Sequence, residues 1–323
     1  MKDFLSVAIP TYKGRERLLK NMPTVRTALE RSGREWEVVV ADDASPDGSG
    51  ERLQADFPWA RVLRGERNLG FSGNANRALR ATRGRLVLIL NDDVTLAPDY
   101  FEAQLAHFDD PRVFAVMGSI HSSDDGRLID AAKFPKVPGP GWLGGLRATL
   151  NCESADGATR TLPTLFASGA NALMDRTKLV ELEYFSEIYA PYYMEDVDLG
   201  VRAWRNGWRS IYEPRARCVH EVSTVIRTFA RAKVRAVSRR NRWIFHLLHL
   251  PALWLAPWMA VQILGAPFRL LREPRAEFLS WLWILDAVAP AFLRRGETVY
   301  PRTLDDVIHA LRAELDPLPL RKF

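Results

Sequence analysis

Two pairs of carboxylates stand directly behind apolar runs: Asp92-Asp93 follows Leu86–Leu90, and Asp42-Asp43 closes Trp36–Ala41. A hard cation such as Mg²⁺ or Mn²⁺ prefers oxygen ligands, and one or two protein carboxylates plus substrate phosphates form a common coordination set. An acid at a strand mouth also accepts hydrogen bonds from a nucleobase or ribose. Taken singly, either pair reads equally well as an Asx turn; two such pairs favour a shared site.

A third acidic group, Glu195, Asp196 and Asp198, opens a helical stretch in Tyr193–Trp204. Acids there are stabilised by the helix dipole, which is one sufficient reason for their presence. Asp198 and Arg202 are spaced to pair at i,i+4. Asp196 has no such partner and is the better candidate for a general base. Between these groups, Asn68-Leu69-Gly70-Phe71-Ser72-Gly73-Asn74 precedes a helix, so its glycines permit close backbone approach and free N–H groups face an anion. Ser72 or Asn74 equally reads as an N-cap. The segment has neither GxGxxG spacing nor a P-loop Gly-Lys-Ser/Thr, which argues against a dinucleotide oxidoreductase or an ATPase. His220 is a lone histidine and, by itself, reads as a packed or surface residue.

The elements that must position these groups are legible from periodicity. Apolar runs at Leu5–Ile9, Trp36–Ala41, Arg61–Leu63, Leu86–Leu90 and Val113–Met117 alternate with helical spacing at Arg17–Ser32, Ser72–Thr82 and Pro98–Phe108. That alternation predicts an α/β fold around a doubly wound, mostly parallel sheet. Ligands of such sheets bind beyond the carboxyl ends of the strands, where Pro10-Thr11-Tyr12, Asp42-Asp43 and Asn91-Asp92-Asp93 all fall. Residues 119–165 hold much of the Gly and Pro and are expected to be an insertion or mobile flap. Beyond Thr228 the pattern is helical to the end.

The ordered set Val7-Ala8-Ile9-Pro10-Thr11-Tyr12, Val40-Ala41-Asp42-Asp43-Ala44-Ser45, Asn68-Leu69-Gly70-Phe71, Leu90-Asn91-Asp92-Asp93, Ser168-Gly169-Ala170-Asn171, Glu195-Asp196-Val197-Asp198-Leu199 and His220 resembles the inverting glycosyltransferases of family 2, most closely their rhamnosyltransferase-like bacterial branch. The resemblance covers residues 4–226 and implies a GT-A nucleotide-sugar fold. It implies that Pro10, Thr11, Tyr12, Asp42, Asp43, Asn68, Gly70, Phe71 and Asn74 face the donor nucleotide, with Asp92 beside the donor sugar or ribose. Asp93 and His220 would hold a divalent cation, Mn²⁺ or Mg²⁺. Asp196 would be the catalytic base, with Glu195 next to it, and Gly169, Ala170 and Asn171 would face the acceptor. The first acid of the family's DxD-type motif is replaced here by Asn91, which leaves the metal to Asp93 and His220.

A chain of 323 residues, 47% hydrophobic and 26% charged, has enough apolar residues for a sizeable core, and its length suits one large domain with an appendage. Cys152 and Cys218 lie too far apart for a redox or metal spacing, and no signal-peptide pattern opens the chain, so a cytoplasmic setting is expected. The charge is uneven: residues 227–323 carry 16 Lys+Arg against 8 Asp+Glu, while residues 1–226 are nearly balanced. Seven basic residues and no acid lie between Arg227 and Arg242, followed by an apolar, Trp-rich stretch, Trp243–Phe268. Basic residues beside aromatic helices are the signature of binding to an anionic membrane surface. Pro251, Pro257 and Pro267 make that stretch a poor spanning helix, and the other reading of it is helices that pack on protein or form an oligomer surface. The expected partners are thus a nucleotide-sugar donor, a glycan or lipid-linked glycan acceptor and the inner face of the membrane. No zinc-finger or RNP-type motif points to nucleic acid. Rival readings are a nucleotidyltransferase of related fold and a non-catalytic membrane or nucleic-acid-binding protein.

Overall fold

The computed structural model describes residues 4–155, 159–221 and 231–323. The expected boundary between residues 226 and 227, and Arg227 with it, lies outside the described residues.

The chain opens with β1 (Leu5–Thr11), α1 (Arg15–Arg31), β2 (Trp36–Asp42), α2 (Ser49–Asp56), β3 (Arg61–Arg64), α3 (Gly70–Arg80) and β4 (Leu86–Leu90). Strands β3-β2-β1-β4 lie side by side and run parallel. Alternate side chains along each strand enter two different cores. Ala8, Val39, Ala41, Val87 and Ile89 pack under Ala75, Ala78 and Leu79 of α3. Val7, Ile9, Val38, Val40, Leu88 and Leu90 pack under Leu18, Met22, Val25 and Leu29 of α1. Both faces are covered, which is why these strands read as continuous apolar runs.

Next come β5 (Val94–Leu96), α4 (Glu102–Leu105), β6 (Val113–Ser122), β7 (Leu128–Asp130), β8 (Ala132–Lys136), β9 (Arg147–Ser154), β10 (Leu162–Thr164), β11 (Asn171–Asp175), α5 (Arg176–Glu181), α6 (Glu195–Arg205) and β12 (Arg209–His220). The expected helix at Pro98–Phe108 is only the α4 turn, continued by a 3-10 turn through Asp109. β11 enters antiparallel between β4 and β6, and β12 pairs parallel with β6. Residues 119–165, expected as an insertion or mobile flap, place about half of their residues in strands, and Ala131, Ala132, Trp142, Leu146 and Leu162 are buried.

The chain ends with α7 (Arg231–His249), α8 (Ala252–Leu264), α9 (Ala266–Arg272), α10 (Pro274–Arg295), α11 (Leu304–Leu315) and β13 (Leu320–Lys322). The expectation of helix to the end is corrected by β13, which pairs with β9 in a small sheet, β13-β9-β8. Trp243, Phe245 and Leu247 of α7 and Leu311 of α11 share one apolar core with Phe166 and Trp204. Each fully buried side chain of this size contributes roughly 1.5–3 kcal/mol. The C-terminal third is thus packed against the body that carries the central sheet.

Candidate functional site

Parallel register brings the first acids together. Thr11 lies opposite Asp42 at the ends of β1 and β2, and β4 runs alongside β1, so Asp92-Asp93 emerge on the same edge. The Asp42 carboxylate accepts from the Ser45 amide at 3.2 Å and from the Ser45 hydroxyl. Asp43 accepts the amide N–H groups of Leu69 (2.9 Å) and Gly70 (3.0 Å), and Asn68 Nδ2 reaches the Asp43 carbonyl at 3.4 Å. Burial raises the Asp43 carboxyl above its usual range, against the pull of those amides. Gly70 is required here: its φ is +73°, and a Cβ would stand 3.1 Å from the Pro191 backbone.

Asp92 is occupied by the protein itself. Its carboxylate accepts Thr11 Oγ1 at 2.5 Å and the Arg17 guanidinium through Nε (2.9 Å) and Nη2 (2.8 Å), and Asn21 Nδ2 holds its carbonyl at 2.7 Å. Asp92 therefore orients Thr11 and Arg17. Asn74 is similarly committed, its Nδ2 bonding the carbonyls of Ala41 (2.8 Å) and Thr11 (3.3 Å) to brace the strand ends. Pro10 is buried in β1, and Tyr12 lies partly exposed beneath Lys13.

Asp93 and His220 meet because β5 pairs antiparallel with the end of β12, with His220 opposite Val94. A register shift between Glu213 and Arg217 precedes the part of β12 that pairs with β5. His220 Nε2 lies 3.0 Å from Asp93 Oδ1, and the Glu221 amide donates to the Asp93 carbonyl at 3.0 Å. Asp93 Oδ1 is buried without a well-aligned hydrogen bond, as suits an atom that receives a cation. Among the described residues no third His, Cys, Asp or Glu joins them. A carboxylate and an imidazole suit Mn²⁺ or Mg²⁺ when a diphosphate supplies further oxygens.

The start of α6 carries the remaining acids. Tyr193 and Met194 are left-handed, with φ of 75° and 77°, and lead into the helix start from which Asp196 reaches Gly169, just before β11. Asp196 accepts the Gly169 amide at 3.4 Å and the Val197 amide at 2.8 Å. Desolvation raises its carboxyl, while those amides and Lys133 oppose the shift. Glu195 is 6% exposed, its Oε2 has no hydrogen-bond partner, and burial beside Asp196 pushes its carboxyl up to about 8. Asp198, 1% exposed, behaves oppositely. Tyr189 Oη (3.0 Å), Arg202 Nε (2.7 Å) and His249 Nε2 (2.8 Å) surround it, and although burial opposes them, Arg202 and His249 hold it well below the usual carboxylate range. The expected Asp198–Arg202 pair therefore forms.

Of the residues expected to face an acceptor, Gly169 lies on Asp196 and against the Phe71 ring, with 3.3 Å from a Cβ built on the glycine to that ring. Ala170 and Asn171 are anchors instead. The Ala170 carbonyl accepts from Asn91 at 3.1 Å, and Asn171 Nδ2 is spent on the Gly118 carbonyl (3.2 Å) and Cys218 Sγ (3.1 Å).

Sequence reasoning missed Arg17, Lys133, Asn241 and His249. A cation in the first turn of a helix runs against the dipole, which was a usable signal for Arg17. Lys133 is buried on β8, bonds Asn151 Oδ1 at 2.7 Å and pairs with Asp130; burial lowers its ammonium to about 8. The arginines expected to face lipid are largely occupied. Arg239 bonds Glu277 (2.7 Å) and Glu273 (2.6 Å), Arg235 pairs with Glu273, and Arg240 grips the carbonyls of Ile188 (2.8 Å) and Ala190 (2.7 Å). Arg242 is half-buried, which lowers its pKa.

Residues 6–182, more than half of the chain, match the family model described as glycosyl transferase family 2. This chain belongs to that family. A family 2 relative from Mycobacterium tuberculosis, named N-acetylglucosaminyl-diphospho-decaprenol L-rhamnosyltransferase, is 30% identical over 242 residues, covering 68% of this chain and 76% of the relative. The fold matches solved GT-A structures. A Pyrobaculum calidifontis mannosyltransferase in complex with GDP-Man and Mn²⁺ aligns with a TM-score of 0.53 at 19% identity, over 90% of this chain and 86% of that one. GalNAc-T7 with UDP, GalNAc and Mn²⁺ aligns with a TM-score of 0.57 at 14% identity, over 77% of this chain and 48% of that one. The protein is thus a glycosyltransferase of rhamnosyltransferase-like type, with a GT-A fold and C-terminal helices.

Proposed function

We propose that this glycosyltransferase transfers a sugar with inversion from a nucleoside-diphosphate donor to a hydroxyl of a lipid-linked glycan, in building a bacterial cell-surface polysaccharide. dTDP-rhamnose is the first candidate donor and UDP-hexoses the next. One observation carries the reading: Asp43 holds the Gly70 amide, the adjacent Phe71 ring packs on Gly169, and the Gly169 amide holds Asp196. The nucleotide edge and the candidate base thereby form one continuous surface.

In this reading Asp43, Asp42 and Thr11 bind the nucleoside, and Phe71 walls the sugar. The acceptor oxygen bonds to the anomeric carbon, its proton passes to an Asp196 carboxylate oxygen, and the sugar–phosphate bond breaks with its electron pair leaving on the diphosphate. Asp93 and His220 would hold Mn²⁺ or Mg²⁺, which neutralises charge on the departing diphosphate. Burial beside Asp196 raises Glu195, so the two neighbouring acids share their ionisation, and in this reading Asp196 is the member that accepts the proton.

The acceptor's lipid brings the enzyme to the cytoplasmic face of the membrane. We assign that contact to the apolar side of α8–α10, where Leu253 (82%), Leu264 (73%) and Leu271 (84%) are exposed, rather than to the paired arginines of α7. α10 is also long and apolar enough to cross a bilayer by composition. Flotation on phosphatidylcholine and mixed phosphatidylglycerol vesicles tests this: Leu264→Glu with Leu271→Glu should abolish binding to both, and unchanged flotation contradicts it.

The experiment for the activity is a panel of dTDP-rhamnose and UDP-hexoses with Mn²⁺, Mg²⁺ or chelator, with and without a prenyl-diphosphate-linked N-acetylglucosamine. Metal-dependent release of nucleoside diphosphate, enhanced by the acceptor, is expected. No release from any donor in the presence of metal overturns the reading.

A further inference from the structure

The segment 188–194 connects the two halves of the site. The Phe71 amide donates to the Pro191 carbonyl at 3.0 Å, and Gly70 lies against the same proline. Three residues later the left-handed pair Tyr193 and Met194 launches α6, so Asp196 takes its direction from this turn. Non-glycine residues keep that conformation only where their surroundings hold them there.

The hold comes from α7, beyond the residues that match the family model. Asn241 is fully buried, and its Nδ2 stands 2.6 Å from the Tyr189 carbonyl and 2.8 Å from those of both Tyr192 and Tyr193. Its Oδ1 accepts Arg240 Nε at 2.9 Å, and the same guanidinium bonds the carbonyls of Ile188 and Ala190. Two adjacent side chains thus hold the carbonyls of Ile188, Tyr189, Ala190, Tyr192 and Tyr193. About two turns further along α7, His249 bonds Asp198 at the back of α6.

We propose that Asn241, assisted by Arg240, is a positioning residue for transfer: it fixes the Tyr193–Met194 turn and thereby the placement of Asp196 against Gly169 and the donor. Neither side chain touches substrate. The inference rests on Asp196 being the base. Its function follows from geometry, because a base displaced by about 1 Å loses about 10²-fold in rate while ground-state donor contacts made elsewhere persist. Those contacts are proposed above all for Thr11, Asp42 and Asp43, none of which bonds Asn241 or the 188–194 segment.

The test compares Asn241→Ala, Asn241→Ser, which retains one donor, and Trp243→Leu. Trp243 lies on the same helix, packs on Trp258 and Trp281, and serves as a stability control. With dTDP-rhamnose and the UDP-hexoses as donors, Asn241→Ala should lower kcat at least tenfold with donor KM within about twofold, and Asn241→Ser should fall between it and wild type. Trp243→Leu should lower Tm by as much or more and keep kcat within about twofold when assayed well below its Tm. The Asp196 carboxyl, followed by carbon-13 NMR and assigned by its absence in Asp196→Asn, should titrate higher in Asn241→Ala because the Gly169 bond slackens. If Asn241→Ala does not fold, Asn241→Ser carries both readouts. Normal kcat and unchanged Asp196 titration in the Asn241 variant overturn the clamp, as does an equal kcat loss in Trp243→Leu. A fully active Asp196→Asn in the same assays overturns the base assignment instead.

Discussion

The front and back of α6 carry acids of opposite character. On the back, Asp198 has a guanidinium, an imidazole and a phenol within 3.0 Å, and its carboxyl is held well below the ordinary range. On the front, Asp196 has only backbone amides, and Glu195 just before it has an oxygen with no partner; burial raises both carboxyls. Their spacing in the chain is nearly the same, so sequence position does not separate them. The compensation each receives does: a saturated carboxylate is bound into the fold, and an undercompensated one remains able to take a proton.

The largest expected effect is on the back. Asp198→Asn leaves Arg202 buried beside a neutral amide, and breaking one partner of a buried pair costs about 3–5 kcal/mol. Chemical denaturation at pH 7 checks it. The pH dependence has a definite sign, because Asp198's folded-state pKa is depressed. Its stabilisation is complete above the unfolded value near 3.8 and is lost as pH falls through the folded value, so the gap between wild type and variant should close only in strong acid.

Next is the metal edge. Asp93→Ala should weaken Mn²⁺-dependent donor binding by more than the roughly 10–100-fold that outer-shell changes cost, since it removes one of two protein ligands. Titration of donor with and without Mn²⁺ measures it, and unchanged affinity removes Asp93 from that role. The smallest effect belongs to Glu195→Gln. Glu195 is raised from 4.5 to about 8, so the folded state holds a proton that the unfolded state has lost, and stability should fall as pH rises through that window. The amide has no such proton, so the variant's melting temperature should fall less than wild type's between pH 5 and pH 8. A slope identical to wild type's would show that Glu195 is ionised like an ordinary carboxylate.

The sheet was legible because both its faces are covered: β1, β2 and β4 had no room for polar interruptions. Their polar ends marked the donor edge for the same reason, and the i,i+4 spacing of Asp198 and Arg202 foretold their pairing. The C-terminal third was harder to read. Arg235, Arg239 and Arg240 look like a basic surface patch until Glu273, Glu277 and the 188–190 carbonyls are folded against them. Pairing between residues some 34–52 positions apart leaves no local period to detect. The strands within residues 119–165 were hidden by composition, because Gly and Pro punctuate them and the partners of two of them, β12 and β13, lie far away in the chain. Asn74 and Asn171 look like ligand contacts in sequence, yet the Nδ2 group of each is engaged by backbone carbonyls or a buried thiol.

The most direct test of the account is Asp196→Asn, an almost isosteric change on the front of α6. With the donor that wild type turns over, donor affinity and melting temperature should stay within about twofold and a few degrees of wild type, while transfer falls by roughly 10²-fold or more, as expected when a general base can no longer accept a proton. Near-normal transfer by this variant would contradict the account, moving the base to another acid and removing the functional distinction between the two faces of the helix.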